Sequence, residues 1–296
     1  MPTFFGSIKL RVLPKPNAGN ALEAGLDDPL IHSAIAEFEL LCAMLGHQPA
    51  RSAFASAGVA ARRALELDPK RYEASAILGF AQTLITKDAE NLAFLDNAVE
   101  LAPSDMQMRQ LRAWAYRIVA RPVCETGDIQ AILKVKSSAR LEDRWVAARI
   151  HLMLGRLDEA REFALSVIAA FPFNQQSFLV AAIVEANFGN YQAAIEHVQS
   201  ICEHRSRDVS QARLLLAYFL GRAGFMDDAE TILTEVMSDR RNFRPSAFLV
   251  PVTLLLKGPE AAIQNIYQAR EHICPHESWM LDALGLTSLR EETLAA

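Results

Sequence analysis

Four cysteines are spread over 296 residues, at Cys42, Cys124, Cys202 and Cys274, and no two lie closer than 72 positions. Such spacing excludes the close cysteine pairs of disulfide-rich domains and zinc ribbons, so reduced, partly buried thiols are the simplest reading. Long hydrophobic runs are also missing. The stretches from Phe178 to Val184 and from Phe248 to Leu256 are far shorter than the ~20 residues of a membrane-spanning helix. The segment from Met1 to Arg11 lacks the basic start and unbroken apolar run of a secretory signal, and a cytoplasmic location is expected. Neither sign of charge dominates: the formal charge is −5, the pI is near 5.8, and lysines and arginines are scattered. A direct nucleic-acid partner, which needs a concentrated basic surface, is therefore not expected. No glycine-rich phosphate loop, nucleophile elbow or His-Glu-x-x-His helix occurs, so neither an enzyme nor a cofactor is expected. His272, Cys274 and His276, with Cys202 and His204 earlier, are metal-capable. Pro275 interrupts them and no second close pair lies nearby, so no tetrahedral zinc site is expected.

What the chain does have is a period. Gly155, Gly189, Gly224 and Gly258 are each followed within a few residues by an alanine, at Ala160, Ala194, Ala229 and Ala262, and the alanines are 34, 35 and 33 residues apart. Glycine ends a first helix, an acidic or amide residue begins a second, and alanine sits where the helices touch. A fixed period of this length is the signature of a helical-hairpin solenoid. Acidic pairs such as Asp158-Glu159 and Asp227-Asp228 fall in first turns, where they complement the helix dipole.

Proline supplies a second register. Asp68-Pro69 and Ala102-Pro103 are 34 residues apart, and Phe171-Pro172 lies 69 further on. Proline just past a helix end cannot continue it and restricts the residue before it, so each sets the turn into the next hairpin. In the same register Ala64 matches Ala98, and Gly79 sits mid-helix, where it permits tight packing. The spacing predicts seven hairpins: Pro29 to Leu67, Tyr72 to Leu101, Met106 to Ser138, Leu141 to Phe171, Gln175 to Arg205, Ser210 to Ser238 and Pro245 to Ile273. The third is irregular: Ala120 to Gly127 reads as a long turn before a short helix from Asp128 to Ala139. Ahead of the array, Ser7 to Pro14 alternates like one strand, and Lys15 to Asn20 reads as linker. The organisation is thus an arm and linker over 1–28, a solenoid over 29–290 and a tail over 291–296.

The Leu-Gly at Leu78-Gly79, glycine before the second helix, alanine within it and proline at the exit together resemble the tetratricopeptide repeat family, over about residues 50 to 272. The best unit runs from Glu142 to Pro172. Phe178 keeps the large aromatic usual early in the first helix and Trp145 is one place later, while Ala147-Ala148 and Ala181-Ala182 replace the usual Leu-Gly. The C-terminal segments from Asn242 to Leu249, Leu256 to Ile263, Tyr267 to Glu271, Cys274 to Trp279 and Leu286 to Arg290 resemble the closing repeat of the tetratricopeptide module of bacterial winged-helix transcription regulators and class III adenylate cyclases. Ile8 to Pro14 echoes the strand that often precedes such modules. The resemblance implies an all-α, right-handed superhelix that binds a protein or peptide in bacterial signalling or transcription control. With no room for an output domain, the chain would act as a stand-alone sensor, an adaptor or a module of something longer.

In that family the first helix of each hairpin lines the concave face. Helical phasing nominates Phe80, Gln110, Trp114, Arg117, Trp145, Arg149, Asn187, Tyr218 and Arg222 for it. Arginine forks bind carboxylates and stack on rings, and Trp and Tyr give rigid contact area, so the expected ligand is an acidic or aromatic peptide. The lysine-and-asparagine clamp of chaperone-binding members is not recognisable. The tryptophans equally fit inter-helix packing, with the arginines solvated. Two other functions stay open: a self-assembling, homodimeric adaptor, and an enzyme with a small-molecule pocket inside the superhelix.

Overall fold

In a computed structural model, residues 27–44, 48–119, 122–136, 139–172, 175–203, 210–238 and 246–268, with positions 284 and 286, are described. Among them are fourteen α-helices and no strand. They pair as α1 (Pro29–Met44) with α2 (Ala50–Leu67), α3 (Tyr72–Thr86) with α4 (Leu92–Leu101), and α5 (Met106–Ile118) with α6 (Pro122–Ile132). Then follow α7 (Leu141–Met153) with α8 (Leu157–Ala170), α9 (Gln175–Asn187) with α10 (Tyr191–Glu203), α11 (Ser210–Arg222) with α12 (Met226–Ser238), and α13 (Ser246–Lys257) with α14 (Pro259–Gln268). The chain forms two compact units, Met1–Val146 and Ala147–Ala296. None of the described helices is long and apolar enough to cross a membrane. The expected strand at 7–14 and the residues His272, Cys274 and His276 lie outside the described residues.

The turns show why the sequence folds this way. In the second unit three hairpins close with one motif. At Gly155 (φ 69°) the amide of Arg156 donates to the His151 carbonyl at 2.9 Å and that of Gly155 to Leu152 at 3.0 Å. The pattern recurs at Gly189, where Asn190 donates to Glu185, and at Gly224, where Phe225 donates to Leu220, both at 2.9 Å. This double bond around a left-handed residue is the Schellman closure, which glycine adopts without the Cβ penalty. The alanines at 160, 194, 229 and 262, and likewise Ala64 and Ala98, are fully buried.

After the second helices α2, α4 and α8 the chain leaves the helical conformation at once. Asp68 (φ −141°), Ala102 (φ −134°) and Phe171 (φ −145°) each return their N–H to the carbonyl four residues back before the following proline takes the chain out of the helix. In the first unit the α3–α4 turn has no glycine. Lys87 takes the left-handed conformation there (φ 54°), and Asp88 accepts from the amide of Glu90 at 3.0 Å to start a short 3-10 turn at Ala89–Asn91. Gly79 is needed for proximity: a Cβ there would lie 2.9 Å from the Asn91 carbonyl oxygen and from Phe94 Cβ.

One expectation is overturned. Most of the segment expected to be a long turn, from Ala120 to Gly127, is helical: α6 begins at Pro122 and ends at Ile132, not near Ala139. Proline suits the first position of a helix, where its missing N–H would be unpaired in any case. Asp128, completely buried, anchors this helix: Oδ1 accepts from Arg109 at 2.9 Å and from Arg112 Nη2 at 2.8 Å, and Oδ2 from Arg112 Nε at 2.7 Å. Arg112 also donates to Asp96 at 3.1 Å, and the Tyr116 hydroxyl donates to the same carboxylate at 3.0 Å. This network ties α4, α5 and α6 together.

Candidate functional site

The odd-numbered helices α1, α3 and α5 pack side by side in the first unit. Glu73 and Gln107 are 34 residues apart, as are Phe80 and Trp114, so each pair occupies equivalent places in successive repeats. The rings of Phe80 and Trp114 lie 6.2 Å apart at 42°. The equivalent faces of α3 and α5 therefore meet. On α5, Gln107, Gln110, Trp114 and Arg117 recur at helical spacing on this one face. Gln107, Gln110 and Trp114 are buried, whereas Arg117 is exposed.

This face is polar where a packing surface would be apolar. Both amide atoms of Gln107 and Nε2 of Gln110 are buried without a hydrogen-bond partner. One repeat earlier, α1 buries Glu37 at 2% exposure, and its Oε1 is likewise unpartnered, as is the Ser33 hydroxyl one turn before it. Burial, then the nearby charge of Glu73, raises the Glu37 carboxyl well above its ordinary range. Glu73 is half-buried. Beside it, burial and the Glu73 charge push the Tyr72 hydroxyl up to about 12.

The remaining nominated residues are distributed between the units. Trp145 and Arg149 on α7 are buried, and desolvation lowers the Arg149 guanidinium to about 9. A substitution such as Arg149→Glu or Trp114→Ala therefore changes packing as well as any ligand contact, so neither is a clean probe of binding. In the second unit, Arg222 Nη1 donates to the buried Tyr218 hydroxyl at 3.1 Å, and the guanidinium lies 5.2 Å from the Tyr191 ring centre. Asn187 is exposed, but its amide donates to the Ile183 carbonyl of its own helix at 2.8 Å. The structure thus brings together Phe80 with Trp114, Gln110 beside Trp114 on one helix face, and Tyr218 with Arg222.

Sequence reasoning passed over Glu37, Glu73 and Gln107. Two signals were available: the 34-residue step from Glu73 to Gln107, and the two glutamates, Glu37 and Glu39, inside the otherwise apolar run from Ala34 to Leu41.

No protein-family model and no curated protein sequence matches the chain. Solved structures do. The human IFIT1 dimer with m7Gppp-AAAA is similar over 93% of this chain and 68% of its own, with a TM-score of 0.63 at 17% identity. A tetratricopeptide repeat protein from Parabacteroides merdae ATCC 43184 is similar over 86% of this chain and 98% of its own, with a TM-score of 0.53 at 17% identity. The fold is a tetratricopeptide-type α-solenoid. The Cut9-Hcn1 hetero-tetramer of the APC/C is similar over 92% of this chain and 51% of its own, at a TM-score of 0.55 and 16% identity. At these identities the likeness fixes the fold and leaves function to the residues. In tetratricopeptide terms, α1, α3 and α5 are the first helices of their hairpins, and the polar face described above belongs to them.

Proposed function

We propose that this chain is a binding scaffold whose first helices receive a protein or peptide segment, serving as a regulatory or sensor module in bacterial signalling or transcription control. The observation that carries this reading is the lining of α5. A solenoid that only held itself together would fill that face with apolar side chains, whereas here buried amides flank an aromatic pair and an exposed arginine continues the row. A solenoid surface of this kind is the usual seat of an extended partner. Arg117 and Arg222, the exposed arginines among the nominated residues, favour a partner with acidic or aromatic side chains. The net charge of −5 favours protein over nucleic acid, although human IFIT1 is seen with m7Gppp-AAAA.

The regulatory role, and with it a cytoplasmic setting, rests on the C-terminal resemblance read from sequence. A pull-down from lysate with the wild-type chain and with an Arg117→Glu/Arg222→Glu variant tests the reading. A protein retained by the wild type and lost by the variant supports it. Identical capture by both forms, or capture of nucleic acid instead, contradicts it.

A further inference from the structure

We infer that the first unit holds a receptor for a lysine side chain, at Glu37 and Glu73, and that the peptide carrying this lysine runs on across Gln107 and Gln110. The inference rests on the groove reading above and names the chemistry of its ligand.

Three observations converge. Glu37 and Glu73 stand on adjacent first helices, close enough for the charge of one to act on the other, and among the described residues no cation is paired with either. A buried carboxyl with a second carboxyl near it is disfavoured as an anion unless a proton or a cation compensates it. Second, Glu37 Oε1 and the Ser33 hydroxyl, one helical turn apart, both lack partners. An ammonium is a compact charge with three rotatable donors, and it fits several acceptors converging from different directions better than a planar guanidinium does. Half-buried Glu73 provides the way in from solvent.

Third, Gln107 occupies the position of Glu73 one repeat on, with donor and acceptor both unused, and Gln110 adds a second unused donor one turn along. A primary amide with both ends free is the complement of a peptide group, able to give one hydrogen bond to its carbonyl and take one from its N–H. Trp114, backed by the fully buried Phe80 ring, borders the same face and supplies apolar contact for the stem or a neighbouring side chain. Acid first and amide second along successive helices is therefore the order in which an extended lysine-bearing peptide would be read. Any proton on Glu37 leaves to solvent as the ammonium takes its place.

Selection of a random dodecapeptide library displayed on phage against the full chain tests this. The selected peptides are expected to carry a lysine, and its replacement by norleucine is expected to weaken binding about tenfold by fluorescence anisotropy, in line with a charge-assisted hydrogen bond. On the near-isosteric Glu37→Gln/Glu73→Gln variant, whose helical signal reports folding, the same replacement should have no effect. Peptides that bind without a basic residue but still depend on Arg117 would overturn the lysine receptor and leave the groove reading standing. Selection of no peptide at all contradicts both. Equal sensitivity to norleucine in wild type and variant places the lysine elsewhere and also overturns the proposal.

Discussion

The two units solve the same problem with different inventories. The second closes α7–α8, α9–α10 and α11–α12 with one glycine motif, buries His151, which stacks on Phe163 at 5.4 Å, and half-buries His197, 6.0 Å from Phe178. The first uses irregular turns and buries Asp128, held by two arginines, and Glu37, set near Glu73 with no cation beside it among the described residues, whereas the buried Glu185 of the second unit is paired with Arg161 at 2.6 Å. The second unit's first helices also bury polar groups, among them Arg149, His151 and Glu185. Irregular turns with unpartnered polar groups mark the place where the stack has been shaped for something else, because buried polar atoms left unsatisfied cost stability that selection would otherwise recover.

The largest effect expected from breaking this contrast is at Asp128. Removing it by Asp128→Ala leaves Arg109 and Arg112 partly buried without their shared carboxylate, and should destabilise the first unit by about 3–5 kcal/mol. Amide hydrogen exchange should show the loss in α4 to α6, with little change in the second unit. Uniform loss across both units would mean that they do not differ in this way.

Next is glycine. Gly79→Ala forces a Cβ against backbone and should cost about 1–3 kcal/mol, whereas Gly127→Ala, with nothing within 4 Å, should stabilise α6 by about 0.5–1 kcal/mol. Thermal unfolding of the two variants should move in opposite directions.

A third prediction concerns pH, and its sign separates the units. Glu37 has a folded-state pKa raised above its ordinary value of 4.5 by burial and by Glu73, so its contribution is fully present below that value and is lost as pH rises through the raised one. Burial lowers His151 and His197 below 6.5, so their contribution is present above that value and is lost as pH falls through the lowered ones. Exchange measured between pH 5 and 8 should show the first unit weakening towards the alkaline end and the second towards the acid end. Glu37→Gln should flatten only the first trend. The smallest expected effect is on the exposed arginines: Arg117→Glu or Arg222→Glu should shift stability by no more than about 1 kcal/mol, Arg222→Glu the more because it loses the bond to the Tyr218 hydroxyl, which makes Arg117 the cleaner binding probe.

The fold was legible because its punctuation is local. Glycines 155, 189 and 224 and the residues before Pro69, Pro103 and Pro172 state their backbone conformation wherever they stand, so the hairpin limits followed from spacing. Pro122 misled because proline both ends helices and begins them, and the residue that decided between the two, Asp128, acts through arginines 16 and 19 positions away. The candidate site was legible only as neighbourhood. Phasing grouped Gln110 with Trp114, Phe80 with Trp114 and Tyr218 with Arg222, which do lie together, since periodicity reports which residues share a face. It did not reveal that Trp145 and Arg149 are buried, because depth depends on neighbouring helices. It also passed over Glu37 and Glu73, whose significance lies in their proximity across two hairpins.

The central claim is that the first helices of the hairpins receive a partner. Chemical-shift mapping of isotope-labelled chain titrated with a selected peptide tests it most directly. The account predicts that shifts concentrate on α3 and α5, at the Trp114 indole and the side-chain amides of Gln107 and Gln110. Shifts confined to the even-numbered helices, with those three groups unmoved at saturation, would contradict it.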